Sequence, residues 1–211
     1  LALADRSGEL WSGAWGESNL WAGTPASTRT VYLIGSTFKA QSTVALLQQM
    51  EQGKFELDDR VSDYLDGLEI RGEDPNNPVL FRHLVTHTSG MPVDFGPHLV
   101  WGETAPLQLD EYLQDSLRVD TAPLEGVVYS NMAYSLVAHL VEKFSGIRYK
   151  DYIRAAVWGP LGMEDTEFDL RPDMDERLAI PYMPHEGTGR NVATVRLKAN
   201  VWPAGIVYGT I

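Results

Sequence analysis

Apolar residues in this chain recur first at strand spacing and later at helix spacing. Two short β-prone runs, residues 1–5 and 9–15, flank the polar turn Asp5-Arg6-Ser7-Gly8, a pattern that predicts a hairpin. Residues 30–34 (Thr-Val-Tyr-Leu-Ile) predict a third strand ending at Gly35. From Ser36 the period changes. Phe38, Val44, Leu47 and Met50 approximate one helical face, Gln and Glu fill the other, and Gly53 is a helix stop. A polar linker with Asp58, Asp59 and Asp63 follows, then an irregular stretch over 72–78. Residues 80–87 predict a short helix stopped by Ser89-Gly90, and 93–108 a long Pro-containing loop. Asp110 is placed to cap a helix running to about Leu117. Residues 131–144 form the clearest helix, with Met132, Leu136, Val137, Leu140, Val141 and Phe144 on one broad face and Gly146 closing it. A further helix over 149–158 and a strand over 177–183 complete the reading. Strands early and late with helices between them predict an α+β fold in one domain.

Composition narrows the functional classes. The 211 residues are 44% hydrophobic and 22% charged, the balance of a packed globular protein. No apolar run reaches the roughly 18 residues of a membrane span. With 17 basic and 29 acidic side chains the net charge is −12, which argues against a nucleic-acid partner. There is no Cys, so disulfides, thiol catalysis and Cys-ligated zinc are excluded. Leu1 is not Met, and the final residues 206–211 are apolar and β-prone, so the chain reads as a fragment. No signal-peptide pattern lies within it, and the compartment stays open.

Candidate chemistry begins at Ser36-Thr37-Phe38-Lys39. A Ser at a helix start and a Lys three residues on share a face. A serine hydroxyl needs a base within hydrogen-bond reach, and a lysine amine whose pKa is lowered by burial can be that base. The helix start also favours the negative charge that develops on an attacked carbonyl. Twelve Ser and five Lys give about 0.3 chance matches to this spacing, so the pair also fits a plain cap with a solvated Lys. Tyr129-Ser130-Asn131 sits where an apolar pair, Val127-Val128, meets a helix. Junctions of this kind present side chains to clefts. A phenol beside a lysine can shuttle protons, and an Asn amide can hold a substrate amide. The same residues also fit a helix cap with Tyr129 packed at a sheet edge.

Taken together, the ordered blocks resemble the serine β-lactamase and penicillin-recognising superfamily, in its class C-like branch. The blocks are Ser36-Thr37-Phe38-Lys39, Leu84-Val85-Thr86-His87-Thr88-Ser89-Gly90-Met91-Pro92, Tyr129-Ser130-Asn131, Gly159-Pro160-Leu161-Gly162-Met163-Glu164-Asp165-Thr166, and Pro203-Ala204-Gly205-Ile206-Val207-Tyr208-Gly209-Thr210. The resemblance implies a β-lactamase/transpeptidase-like fold, an antiparallel sheet flanked by helices with a mostly helical subdomain. It implies Ser36 as the acylated nucleophile, Lys39 as general base, Tyr129 as proton relay and Asn131 as substrate-binding residue. It implies an ester, amide, lactam or D-peptide substrate and no metal or organic cofactor.

The family's third motif, Lys or His followed by any residue and Gly, lies beyond the Gly-rich segment and has no counterpart here, nor does its N-terminal helix. On that ground the 211 residues alone are expected to be poorly stable and weakly active. His83 and His87 are four apart, but no Glu follows the first, so a metal site is not expected. Ser89 lacks a nucleophile elbow, and Asp58, Asp59 and Asp63 read as a solvated face. Of the six Trp, most are expected in the core or lining a cleft, with Trp101 a candidate pocket residue. Phe95, Leu99, Val100 and Trp101 make the 93–108 loop apolar, which favours an apolar acyl group. The competing reading is a non-catalytic binding or scaffold relative. Joint retention of Ser36, Lys39 and Tyr129 favours the enzyme.

Overall fold

The computed structural model describes residues 1–93, 100, 105–194 and 196–211. They form two compact units, one of Leu1–Ile34, Glu164–Leu197 and Val207–Ile211, the other of Gly35–Met163 and Lys198–Ile206. Phe95, Leu99 and Trp101 lie outside the described residues.

The first unit carries the strands. β1 (Ala2–Asp5) and β2 (Gly8–Ser12) form the expected antiparallel hairpin. β3 (Glu17–Asn19) pairs with β4 (Thr24–Pro25). β5 (Tyr32–Leu33), β6 (Thr166–Glu167) and β9 (Tyr208–Gly209) make a three-stranded antiparallel sheet with β9 in the middle. β7 (Tyr182–Pro184) pairs with β8 (Asn191–Ala193). Its small core joins Val31, Met174 and Tyr208, with Leu170 and Leu178 packed against them. The strand expected over 177–183 does not form as such. Leu178 makes only a bridge to Val31, and the strand starts at Tyr182. Arg177 is bound instead to a helical turn, its N–H on the Met174 carbonyl and its guanidinium on both carboxylate oxygens of Asp165 at 2.9 Å. Pro181 then has no N–H to give a ladder. The expectation for the Trp residues also needs correcting: Trp11, Trp15 and Trp21 are exposed, and the first two stack on each other.

The second unit is helical. A 3₁₀ turn, Gly35–Phe38, runs into α1 (Lys39–Glu51). α2 (Phe81–Val85) and α3 (Leu109–Ser116) follow, then α4 (Asn131–Ser145) and α5 (Tyr149–Ile153), which continues through a π turn at Arg154–Trp158. Every residue of α4 from Asn131 to Ala138 is buried, as are Leu140 and Val141, so α4 is the central helix of the unit. Gly146 closes it in the left-handed conformation, as its sequence position predicts. Beside α4, Phe55 stacks on Phe81 at 3.9 Å and on Phe144 at 5.3 Å between ring centroids, with Tyr64 edge-on to both partners.

Two sequence expectations change here. The buried face of α1 is Lys39, Ser42, Ala45, Leu46 and Gln49, whereas Val44 is exposed. An apolar face was expected, and the buried one is largely polar because each polar side chain finds at least one partner, although Gln49 Oε1 is buried without one. Ser42 Oγ accepts from the buried Tyr149 hydroxyl at 2.7 Å, and Gln49 Nε2 donates to the Tyr152 hydroxyl at 2.7 Å. Asp110 is not the cap of α3. Gln108 holds that position, and Asp110 lies in the first turn with His139 Nδ1 at 2.7 Å. The cap reading of Tyr129-Ser130-Asn131 does hold for α4: Asn131 begins the helix and Ser130 caps it, its Oγ accepting from the Ala133 N–H at 2.9 Å.

The 83–93 segment turns sharply at Gly90, where φ is +75° and an added Cβ would stand 2.1 Å from the Thr121 carbonyl oxygen. Gly90→Ala is therefore expected to cost well over the ~1 kcal/mol of a backbone mismatch alone. The drop should appear as a lower urea midpoint with unchanged slope.

Candidate active site

Three separated segments of the helical unit converge on one amine. Lys39 begins α1 and is only 5% exposed. Its Nζ lies 3.1 Å from Ser36 Oγ, 2.9 Å from Asn131 Oδ1 and 2.6 Å from the Ala204 carbonyl oxygen. Ser36, one turn earlier in the 3₁₀ segment, is exposed. The cap reading of Ser36 is not what forms: Phe38 holds the N-cap position of α1, with no side-chain cap bond, and Lys39 is buried rather than solvated. The Tyr129 ring centroid lies 4.8 Å from Nζ and that of Tyr134 5.4 Å. Ser36, Lys39, Tyr129 and Asn131 thus lie in one cluster.

Burial disfavours the ammonium, so the Lys39 pKa is pushed below the ordinary lysine value of 10.5, while the Tyr129 phenol pulls in the opposite direction. A neutral amine has two N–H donors and one lone pair. Asn131 Oδ1 and the Ala204 carbonyl can only accept from it, which takes both donors. The lone pair is left for the Ser36 hydroxyl, whose proton it can take.

Two features that position this cluster were not among the sequence-derived candidates. The first is the Ala204 carbonyl, set by a 3₁₀ turn at Trp202–Ala204. Gly205 follows with φ +153°, and an added Cβ there would meet the Gly35 carbonyl carbon at 2.6 Å and the Ser36 nitrogen at 3.0 Å. Only glycine lets the two backbones approach this closely. The Pro203-Ala204-Gly205 run was visible in the sequence as a Gly-rich block, but its backbone role was not. The second is Tyr134, buried on α4 with its hydroxyl 3.1 Å from Thr43 Oγ1 and its pKa raised by burial. Its place one turn beyond Tyr129-Ser130-Asn131 was the available signal.

The block from His87 to Met91 is the template for the Tyr129 segment. Val128 N–H donates to the His87 carbonyl, Leu124 N–H to the Thr88 carbonyl and Asn131 N–H to the Val93 carbonyl. The Ser130 hydroxyl donates to the Pro92 carbonyl at 2.8 Å. Ser89 is fully buried, its Oγ accepting from the Met91 N–H, a turn role. His83 Nδ1 accepts from Leu80 N–H and His87 Nδ1 from Ser130 N–H, so the two imidazoles serve separate backbones. Among the described residues no group of three or more His, Asp and Glu is arranged for a metal.

With that geometry in place, comparison with known proteins becomes informative. The family model described as Beta-lactamase matches residues 1–211. The chain belongs to the beta-lactamase family. It is 28% identical over 182 residues to penicillin-binding protein 4* of Bacillus subtilis, covering 83% of this chain and 39% of that one. It is 31% identical over 220 residues to human putative beta-lactamase-like 1, covering 95% of this chain and 41% of its counterpart. Among solved structures, D-amino acid amidase from Ochrobactrum anthropi SV3 superposes with a TM-score of 0.74 at 25% identity, over 93% of this chain and 57% of the amidase. The chain therefore spans well under two thirds of the length of these relatives. The fold is β-lactamase/transpeptidase-like, α+β with small antiparallel sheets, and the family it belongs to includes hydrolases. Among the described residues no helix is long and apolar enough to cross a membrane.

Asn131→Asp would place a carboxylate beside Nζ and favour the ammonium. The Lys39 pKa should rise by about 1–3 units. NMR titration of a ¹³Cε-labelled lysine reads this directly, and an unmoved midpoint would contradict the contact.

Proposed function

We propose that this chain carries the acylation machinery of a serine hydrolase that cleaves a small ester or amide. The carrying observation is the Lys39 amine held between Asn131 Oδ1, the Ala204 carbonyl and Ser36 Oγ. In this reading Ser36 Oγ attacks the substrate carbonyl carbon as its proton passes to Lys39 Nζ. The tetrahedral oxyanion collapses, the bond to the leaving alcohol or amine breaks, and that group takes a proton delivered through Lys39 and Tyr129. Ser36 is left acylated. Water attacks the ester carbonyl, Lys39 and Tyr129 take its proton and return it to Ser36 Oγ as the acyl–Oγ bond breaks, and the acid is released.

The residues support these roles unequally. Ser36 is exposed, as a nucleophile must be, while the base below it is shielded from water that would stabilise its ammonium form. Tyr129 is 42% exposed with its ring over Nζ, a place from which a phenol can face both the base and a bound leaving group. Asn131 commits Oδ1 to Lys39, which leaves its amide N–H₂ as the group for a substrate carbonyl. The likeness to a D-amino acid amidase supports an amide or ester as the bond cleaved.

Intact-mass measurement after exposure to a fluorophosphonate tests the reading. One adduct is expected, absent in Ser36→Ala and formed about 10²–10⁴-fold more slowly in Lys39→Ala. The wild-type labelling rate should climb with pH as Lys39 loses its proton, with a midpoint below 10.5 because burial depresses that pKa. An unreactive Ser36 in a cooperatively folded chain would move the protein to the binding or scaffold relatives of the family.

A further inference from the structure

Among the described residues His87 is one of three non-glycine residues with positive φ, at +58°, a conformation that costs energy for an L-residue and persists only where its surroundings impose it. What it does there is specific. Its carbonyl accepts from the Val128 N–H at 2.8 Å, on one side of Tyr129. Its Nδ1 accepts from the Ser130 N–H at 3.1 Å, on the other side. Its ring lies 4.4 Å from the Tyr129 ring at an interplanar angle of 32°. One residue thus holds the backbone before and after Tyr129 and one flank of its side chain.

The Ser130 N–H can only donate, so Nδ1 must carry a lone pair and the imidazole proton must sit on Nε2. Protonating the ring turns Nδ1 into a donor aimed at a donor. Among the described residues, the titratable groups facing the ring are Lys39 from α1, Tyr129 from the preceding loop and Tyr134 from α4, whose ring is 5.4 Å away, and no carboxylate is among them. Burial and the charge of Lys39 both favour the neutral imidazole.

We propose that His87 is the positioning residue of this site: its neutral imidazole, bonded to the Ser130 N–H and packed on Tyr129, keeps Tyr129 and Asn131 on Lys39, and its protonation releases them. The kinetic consequence rests on the serine hydrolase reading above. The structural one does not.

If neutral Lys39 alone were required, the logarithm of the Ser36 labelling rate would rise with pH at a slope of about one. A second requirement for neutral His87 steepens this to about two below the His87 pKa. His87→Asn retains a short acceptor, tolerates positive φ and cannot titrate. It should hold a slope near one throughout, at a rate within about tenfold of wild type. His87→Gly accepts the backbone but has neither acceptor nor ring, and should label about 10²-fold more slowly while still unfolding cooperatively. A steep limb surviving in His87→Asn, or wild-type labelling in His87→Gly, overturns the proposal. ¹⁵N NMR provides a readout that does not depend on reaction. Nδ1 should appear as an unprotonated acceptor at alkaline pH, and the Ser130 amide should shift in step with the His87 titration. A Ser130 amide that stays still as His87 titrates refutes the positioning role whether or not Ser36 reacts. Coupled shifts with an inert Ser36 support it and remove only the hydrolase reading.

Discussion

Putting a lysine amine out of water is the constraint around which the helical unit is arranged. An ammonium so placed needs three acceptors, whereas an amine needs two and offers a lone pair to a third neighbour. The surroundings of Lys39 can serve either state. Two of its partners, an amide oxygen and a backbone carbonyl, can only accept, and the third is a hydroxyl that can reverse its role. Burial shifts the equilibrium toward the amine. The contact between Nζ and the Ala204 carbonyl spans 165 residues of sequence and that to Asn131 spans 92. The site is therefore a product of the unit's packing and not of one local motif.

That constraint explains the polar buried face of α1. Lys39, Ser42 and Gln49 follow the helical repeat inward, and each meets a group from the α4–α5 side: Asn131, Tyr149 and Tyr152. Hydrophobic contacts are forgiving of small sliding, whereas hydrogen bonds at 2.7–2.9 Å are not. A helix seated by three such pairs is fixed in rotation and in height relative to α4. A purely apolar α1 would be at least as stable. It would not hold Nζ within reach of Ser36 and Asn131 with comparable accuracy.

The sequence was most readable where a single physical signal acted alone. Residues 131–144 have a strong apolar face and a following glycine, and α4 is where that pattern puts it. The hairpin of β1 and β2 follows from a polar turn between two β-prone runs. Ser36, Lys39, Tyr129 and Asn131 stood out through the ordered blocks of the family resemblance, because the Ser-x-x-Lys spacing alone fitted a plain cap equally well. Reading failed where tertiary partners reversed a local preference. Gln49 looks like a surface residue until Tyr152 is placed beside it, and 177–183 looks like a strand until Asp165 takes the Arg177 guanidinium. Backbone roles were the least legible. The Ala204 carbonyl has no side chain to announce it, and the close approach at Gly205 shows in sequence only as one more glycine.

The junction between the 3₁₀ turn and α1 accounts for how one short segment serves two opposed needs. In the proposed hydrolase the nucleophile has to be reached by substrate, whereas its base has to be kept from water. Residues three apart share a face in an α-helix and eclipse in a 3₁₀ turn, so the difference in exposure comes from side-chain length and not from a change of face. Here Ser36 belongs to the 3₁₀ turn and Lys39 to the first position of α1. Ser36 stays exposed at the rim, while the long lysine stem carries Nζ under it toward α4. The left-handed Gly35, at φ +59°, starts the turn, and Gly205 lies directly against its carbonyl. A side chain at Gly205 would push on that carbonyl and on the Ser36 nitrogen, and it would adjoin the Ala204 carbonyl that holds Nζ. The placing of Ser36 over Lys39 thus depends on backbone approach at two glycines as well as on the Ser-x-x-Lys spacing itself.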